Sequence, residues 1–151
     1  PVLVEVQALV DRAQGQSPRR LAQGFDGQRL SLLLAVLHRH CGFASGDSDV
    51  FANIVGGLRV GETAAELGVA LAIVSSLSER PVSHELVVFA EIGLTGEIRP
   101  VPFGEERLAE AEKHGFKRAL VPRANVPRRP LRIEVVPVDR LSGALAVAHA
   151  S

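Results

Sequence analysis

The stretch from Glu62 to Glu91 holds hydroxyls and carboxylates whose types could serve acyl-transfer chemistry. Thr63, Ser75 and Ser76 are among its hydroxyls, and Glu62, Glu66 and Glu91 could be imagined as a carboxylate pair beside them. Covalent hydrolysis needs a hydroxyl or thiol and a neighbour that takes its proton. Thr63 has no lysine or histidine in register to act as that base. The three glutamates also fit a plainer reading, a solvated helix start and a strand end. His38, His40, His84, His114 and His149 are scattered, with no HExxH or Cys/His spacing, so no metal site is expected. The glycine-rich GGLRVGE lacks the G-K-[ST] ending that cradles phosphates, so nucleotide binding is not expected either.

Arginine clusters are the other chemical lead. Arg19 and Arg20 fall in a polar stretch expected to be a loop or hairpin tip, and Lys117, Arg118, Arg123, Arg128, Arg129 and Arg132 crowd a later region. Guanidinium groups on projecting loops can grip phosphates, giving sequence-independent, salt-sensitive contact with DNA. The same residues fit a solvated surface. With six phenylalanines as the only aromatics, contact with a duplex backbone is favoured over stacking on single strands. Acidic and basic residues balance at 17 each, so bulk charge neither demands nor excludes a polyanion. Fifteen of the basic residues are arginine, which genome composition explains as readily as function.

At 151 residues the chain fits one domain with a substantial core. No apolar run approaches the roughly 20 residues of a membrane span, so a water-soluble protein is expected. PVLVEVQALV has no basic leader before an apolar core, so no signal peptide is read, and a piece of a longer protein is expected. Cys41 cannot form an internal disulfide and fits a small, half-buried filler in a reducing cytoplasm.

Periodicity supplies the elements that must position these groups. Residues 2–10 alternate as a strand. Asp26 can cap a helix whose Leu30, Leu33, Leu34 and Leu37 share one face, ending at Cys41-Gly42. Residues 50–60 read as a strand running into Gly56-Gly57, and 63–77 as a helix apolar on most sides, hence central. Strands at 85–90 and 91–101, bent at Gly93 and Gly96, precede a helix at 104–114 with Gly115 at its cap. Strands at 117–121 and 131–136 and a helix from Asp139 complete the pattern, an α/β (α+β) fold with a mixed sheet and packed helices.

Several long blocks carry a family resemblance. AELGVALAIVSSL resembles the Lon helix that starts with a nucleophilic serine, and EIGLTGEIRPVPFGEERLAEA is similar to the Lon segment bearing the catalytic lysine. The matching positions hold Ala64 and Arg107, 43 positions apart as in that family. VLVEVQALV, GFDGQRLSLLLAVL, VFANIVGGLRVGETAAELGVALAIVSS and GFKRALVPRAN together resemble the C-terminal Lon-like domain of the RadA (Sms) family of bacterial DNA-repair proteins, over nearly the whole chain.

The resemblance implies a Lon protease-like, ribosomal protein S5 domain 2-like fold over residues 1–151 and a dyad that has lost its chemistry. A methyl group at Ala64 cannot attack a carbonyl, and the guanidinium of Arg107 stays protonated where a lysine could act as base. It further implies a non-catalytic domain that contacts duplex or branched DNA and joins a homo-hexameric ring. That ring would serve a cytoplasmic, ATP-dependent branch-migration motor able to meet a RecA-type recombinase. ATP, magnesium and zinc would bind only in upstream parts of such a protein. The alternatives are a Lon-family peptidase with an unorthodox Ser/Thr nucleophile, and an oligomerisation scaffold without DNA contact.

Overall fold

The computed structural model describes residues 3–15, 17–56 and 63–149. The chain folds in the order β1 (Glu5–Arg12), β2 (Arg20–Gln23), α1 (Gly27–Cys41), β3 (Ser48–Val55), α2 (Glu66–Ser78), β4 (Leu86–Val88), β5 (Glu91–Ile92), β6 (Ile98–Arg99), α3 (Gly104–Lys113), β7 (Arg118–Pro122), a 3₁₀ turn (Arg123–Asn125), β8 (Glu134–Val138) and α4 (Leu141–His149). The expected α+β class is present, with its strands divided among three small sheets.

In the first sheet, β3 is central. It pairs antiparallel with β1 from Glu5 opposite Val55 to Arg12 opposite Ser48, and parallel with β2 from Arg20 opposite Val50 to Gln23 opposite Asn53. Side chains alternate across a strand, so Val50, Ala52 and Ile54 face the helices while Phe51, Asn53 and Val55 face away. The second sheet is all parallel in the order β4-β7-β8, and β5-β6 is a short hairpin.

α1 forms as its sequence predicts. The Asp26 side chain accepts from the Gln28 N–H, and Gly42 ends the helix in the left-handed region at φ 76°, where a side chain would be strained. Leu30, Leu33, Leu34 and Leu37 are buried together. α2 runs between the two larger sheets: a methyl group added at Gly68 would meet Val6 on one side and Val88 on the other, at 3.5 and 3.6 Å. That position accounts for apolar residues all round this helix.

β7 divides the interior. Ala119 and Val121 pack with Phe89, Val101, Leu108 and Ile133, whereas Leu120 packs with α2, α4 and the first sheet. Covering both faces of a parallel sheet in this way explains its continuous run of apolar residues.

Two sequence expectations change. The segment expected to be a loop or hairpin tip runs directly into an unexpected strand, β2, whose first residue, Arg20, is the last of that segment. The strand expected at 131–136 begins later, at Glu134. The strand expected at 50–60 is observed as far as Val55; residues 57–62, including Glu62 and most of GGLRVGE, lie outside the described residues.

Candidate functional site

Ala64 sits two residues before α2, in the turn that leads into it. Its carbonyl accepts from the Ala90 N–H at 3.0 Å, and the Ala90 carbonyl accepts from the Leu67 N–H at 3.2 Å, so the helix start is bonded to the chain leading into β5. The Ala64 side chain is 5% exposed and packs in the cluster that contains Phe89. Arg107, on α3, places its guanidinium over the Phe89 ring, 5.9 Å from its centroid, and its Nε donates to the Pro102 carbonyl at 2.9 Å. Phe89 belongs to the cluster that holds Ala64 and carries the Arg107 guanidinium on its ring. What stands there is a buried methyl and a cation resting on an aromatic face.

The hydroxyls named above do not gather around Ala64. Ser76 Oγ accepts from the Val10 N–H at 2.9 Å and Ser75 Oγ donates to the Arg80 carbonyl at 2.6 Å, both in the last turns of α2. The helical rise puts them about 14 Å from its start. Thr63 is close in sequence, and its carbonyl accepts from the Glu66 N–H.

Glu66 corrects the expectation of a solvated helix start, because the structure buries it completely, at 0% exposure. Arg29 of α1 donates to both of its carboxylate oxygens, at 2.7 and 2.8 Å, and the Ile92 N–H donates to Oε1 at 2.9 Å. Arg29 also reaches the Ile92 carbonyl at 3.1 Å. A carboxylate in the first helical turn with three hydrogen-bonding donor groups is tolerable in the interior. The Glu66 hydrogen bond pushes the Arg29 pKa up, against the opposing effect of burial. Glu91 is half-buried in β5 opposite Arg99. Sequence reasoning did not single out Arg29, since its partner lies 37 residues away.

The eight basic candidates separate. Arg19 donates its backbone N–H to Asp49 at 2.7 Å, pairs with the same carboxylate through Nη2 at 3.3 Å, and lies over the Phe51 ring. Arg20 is turned inward onto the carbonyls of Ser45 and Ser48. Arg118 pairs with Glu134 at 3.0 Å across β7 and β8. Arg123 makes a bidentate pair with Asp139 at 3.0 and 2.9 Å, which pushes the Asp139 carboxyl below its ordinary range. Arg132 is almost fully exposed, with Glu112 3.7 Å away. Lys117, Arg128 and Arg129 are exposed and have no ion pair among the described residues.

Position sorts them further. Lys117, Arg118 and Arg132 cluster where β7 and β8 begin, and the Glu134 N–H donates to the Lys117 carbonyl. Arg128 and Arg129 lie on the loop leading back to that end. Arg123 is at the far end of β7, roughly 20 Å from Lys117 by strand rise. Arg19 and Arg20 belong to the first sheet. The structure therefore brings Lys117, Arg118 and Arg132 to one end of the second sheet, with Arg128 and Arg129 on the loop that returns to it, and sets Arg19, Arg20 and Arg123 apart.

Cys41 is half-buried, and burial pushes its thiol pKa up, so little thiolate is present near neutral pH. Among the described residues no group of three or more His, Cys, Asp or Glu could hold a metal ion. No described helix is long and apolar enough to cross a membrane.

Comparison with known proteins decides the family. The family model described as "Subunit ChlI of Mg-chelatase" matches residues 34–125, a segment that contains Ala64, Glu66 and Arg107. The chain belongs to the ChlI family. Relatives of this ChlI-family chain carry the name DNA repair protein RadA. One from Escherichia coli K12 is 57% identical over 148 residues, which is 97% of this chain and 32% of the relative. Those from Aquifex aeolicus and Synechocystis are 48% and 42% identical, over 97% and 98% of the chain and 33% and 29% of the relatives. The chain spans about a third of the length of these relatives. The resemblance to RadA stands, and the chain corresponds to a region of a DNA-repair protein.

Proposed function

We propose that this chain is a non-catalytic domain of a RadA-type DNA-repair and recombination protein, one that holds DNA and assembles subunits into a ring. One observation carries the first part: the position matching the Lon nucleophile is a buried methyl group bonded through its carbonyl to Ala90, with Arg107 resting on Phe89 nearby. Neither side chain can attack a carbonyl or take a proton.

The DNA contact falls to Lys117, Arg128, Arg129 and Arg132 around one end of the second sheet, with Arg118 beside them. Among the described residues Lys117, Arg128 and Arg129 have no ion pair and Arg132 meets Glu112 only at 3.7 Å, so these cations can exchange water and counterions for phosphate oxygens, and binding of that kind weakens steeply with salt. Arg19, Arg20 and Arg123 are held by internal acceptors and make a smaller contribution. The preferred ligand is a duplex or branched DNA backbone. The ring is a homo-hexamer, and the ATP-dependent branch-migration motor, with its ATP, magnesium and zinc, lies in the part of the protein outside this chain. A RecA-type recombinase is met through that whole protein, in the cytoplasm.

The test is duplex binding across a salt series with wild type and a variant carrying Lys117→Glu, Arg128→Glu, Arg129→Glu and Arg132→Glu. The variant should bind at least tenfold more weakly with a shallower salt slope. Unchanged affinity and slope favour the second reading, a pure assembly scaffold. The observation behind that reading is the internal pairing of Arg19, Arg20, Arg118 and Arg123.

A further inference from the structure

Along the outer face of the first sheet runs a row of apolar side chains that the described residues leave largely open, with only the Arg19 guanidinium lying over the middle one. Leu9, Phe51 and Leu21 stand side by side on β1, β3 and β2, in register. Leu9 and Leu21 are 56% and 54% exposed, and Val55 on the same face is exposed as well. Beside them runs a row of amides, Gln7, Asn53 and Gln23, in which Asn53 Nδ2 donates to Gln7 Oε1 at 3.4 Å. The rim is acidic. Asp49 is neutralised by Arg19, but Glu5 and Asp11, both exposed on this face, have no cation partner among the described residues. Leu9, Leu21 and Val55 account for three of the seven large apolar side chains that stand exposed among the described residues. Exposed apolar side chains gathered on one sheet face are what an interaction surface uses.

A second feature has the opposite sign. Leu94, 63% exposed, is at the tip of the β5-β6 hairpin. Its backbone is fastened from several directions: His40 Nε2 meets the Leu94 carbonyl at 3.2 Å, Arg140 donates to the Thr95 carbonyl, and the Leu141 N–H donates to the Gly96 carbonyl at 2.8 Å. The Glu97 carboxylate accepts from both the Thr95 N–H and hydroxyl. Glu97 is paired with Arg99, and further cations stand nearby, Arg140 at the turn and Arg39 exposed in the last turn of α1.

We propose that the outer face of the first sheet receives the Leu94 hairpin tip of a second copy of this chain. The inference rests on the ring assembly proposed above and assigns its contact surfaces. A closed ring needs two different, complementary patches on each subunit. Here one patch is apolar with an acidic rim and the other is an apolar knob among cations, so their charges match. Both are already rigid, on a paired sheet and on a clamped turn, so little ordering is lost when they meet. They cannot satisfy each other within one chain, because the face points away from the helices while Leu94 is tied to the last turn of α1.

The experiment uses the full-length protein, with mass measured by light scattering at graded concentrations and folding checked by circular dichroism. Leu21→Glu and Leu94→Glu should each raise the half-assembly concentration at least about tenfold. Leu32→Glu, an exposed change on α1, should leave the ring intact. Leu21→Glu combined with Leu94→Lys puts opposite charges across every contact and should recover assembly. Wild-type mass in either single glutamate variant, or no recovery in the combined one, overturns the docking surface while leaving the ring in place. A wild-type protein that never assembles overturns the ring reading itself.

Discussion

Arg29 and Glu66, 37 residues apart, form a bidentate ion pair whose carboxylate is wholly enclosed, and the pair supports the Ile92 backbone as well. It ties α1, the start of α2 and the β5-β6 hairpin at one point. Arg29→Ala would leave a buried carboxylate without its cation, and about 3 kcal/mol of stability should be lost. Urea unfolding measures this. Arg29→Met with Glu66→Leu removes both charges and should cost clearly less than the single change. Equal losses would mean the charge pairing is not what matters there.

Restoring the side chains of the Lon dyad should not restore hydrolysis. Ala64→Ser would put its hydroxyl in a packed cluster against Phe89, and Arg107→Lys would lift a cation off that ring. The double variant is expected to release no peptide from unfolded casein above background. Release that vanishes on reverting position 64 to alanine would show that the scaffold keeps a working active-site geometry.

The hairpin tip should loosen in acid. The Thr95 hydroxyl, together with neighbouring N–H groups and Arg99, holds the Glu97 carboxyl at about 2, against an ordinary 4.5. Because the folded value is depressed, the stabilisation is complete above the ordinary value and fades as pH falls from about 4.5 toward 2. Amide exchange at Thr95, corrected for its intrinsic pH dependence, should show protection falling through that window. Glu97→Gln should abolish the pH dependence and leave protection low throughout.

Arg20 and Arg128 should give opposite phenotypes although both were candidates for DNA contact. Arg20→Ala removes donors from the Ser45 and Ser48 carbonyls and should lower stability with little change in DNA affinity. Arg128→Ala should leave stability unchanged and reduce the salt slope of binding by roughly 0.9 if one phosphate contact is lost. Paired melting and salt-series measurements separate the two.

Local signals in the chain were read correctly and distant ones were not. Asp26, Gly42 and the leucines between them define α1 because caps and a 3.6-residue period are properties of adjacent residues. The hairpin bent at Gly93 and Gly96, the cap at Gly115 and the central place of α2 were legible for the same reason. β2 was hidden because four residues between polar flanks show little alternation, and its strand identity comes from lying beside β3. Glu66 looked like an ordinary acidic helix start because its burial depends on Arg29, far off in sequence. Crowding in sequence does not give crowding in space: β7 separates Arg118, its first residue, from Arg123, just past its far end. Counting charges cannot show which of them have already found an acid or a carbonyl.

β7 has a consequence for how the chain comes apart. Since Ala119 and Val121 look into one apolar cluster and Leu120 into the other, withdrawing this strand exposes both at once. Neither half of the interior has a boundary along which it could melt alone. Heat should therefore take the chain from order to disorder in a single step, with the Leu120 amide among the last to trade its proton for deuterium.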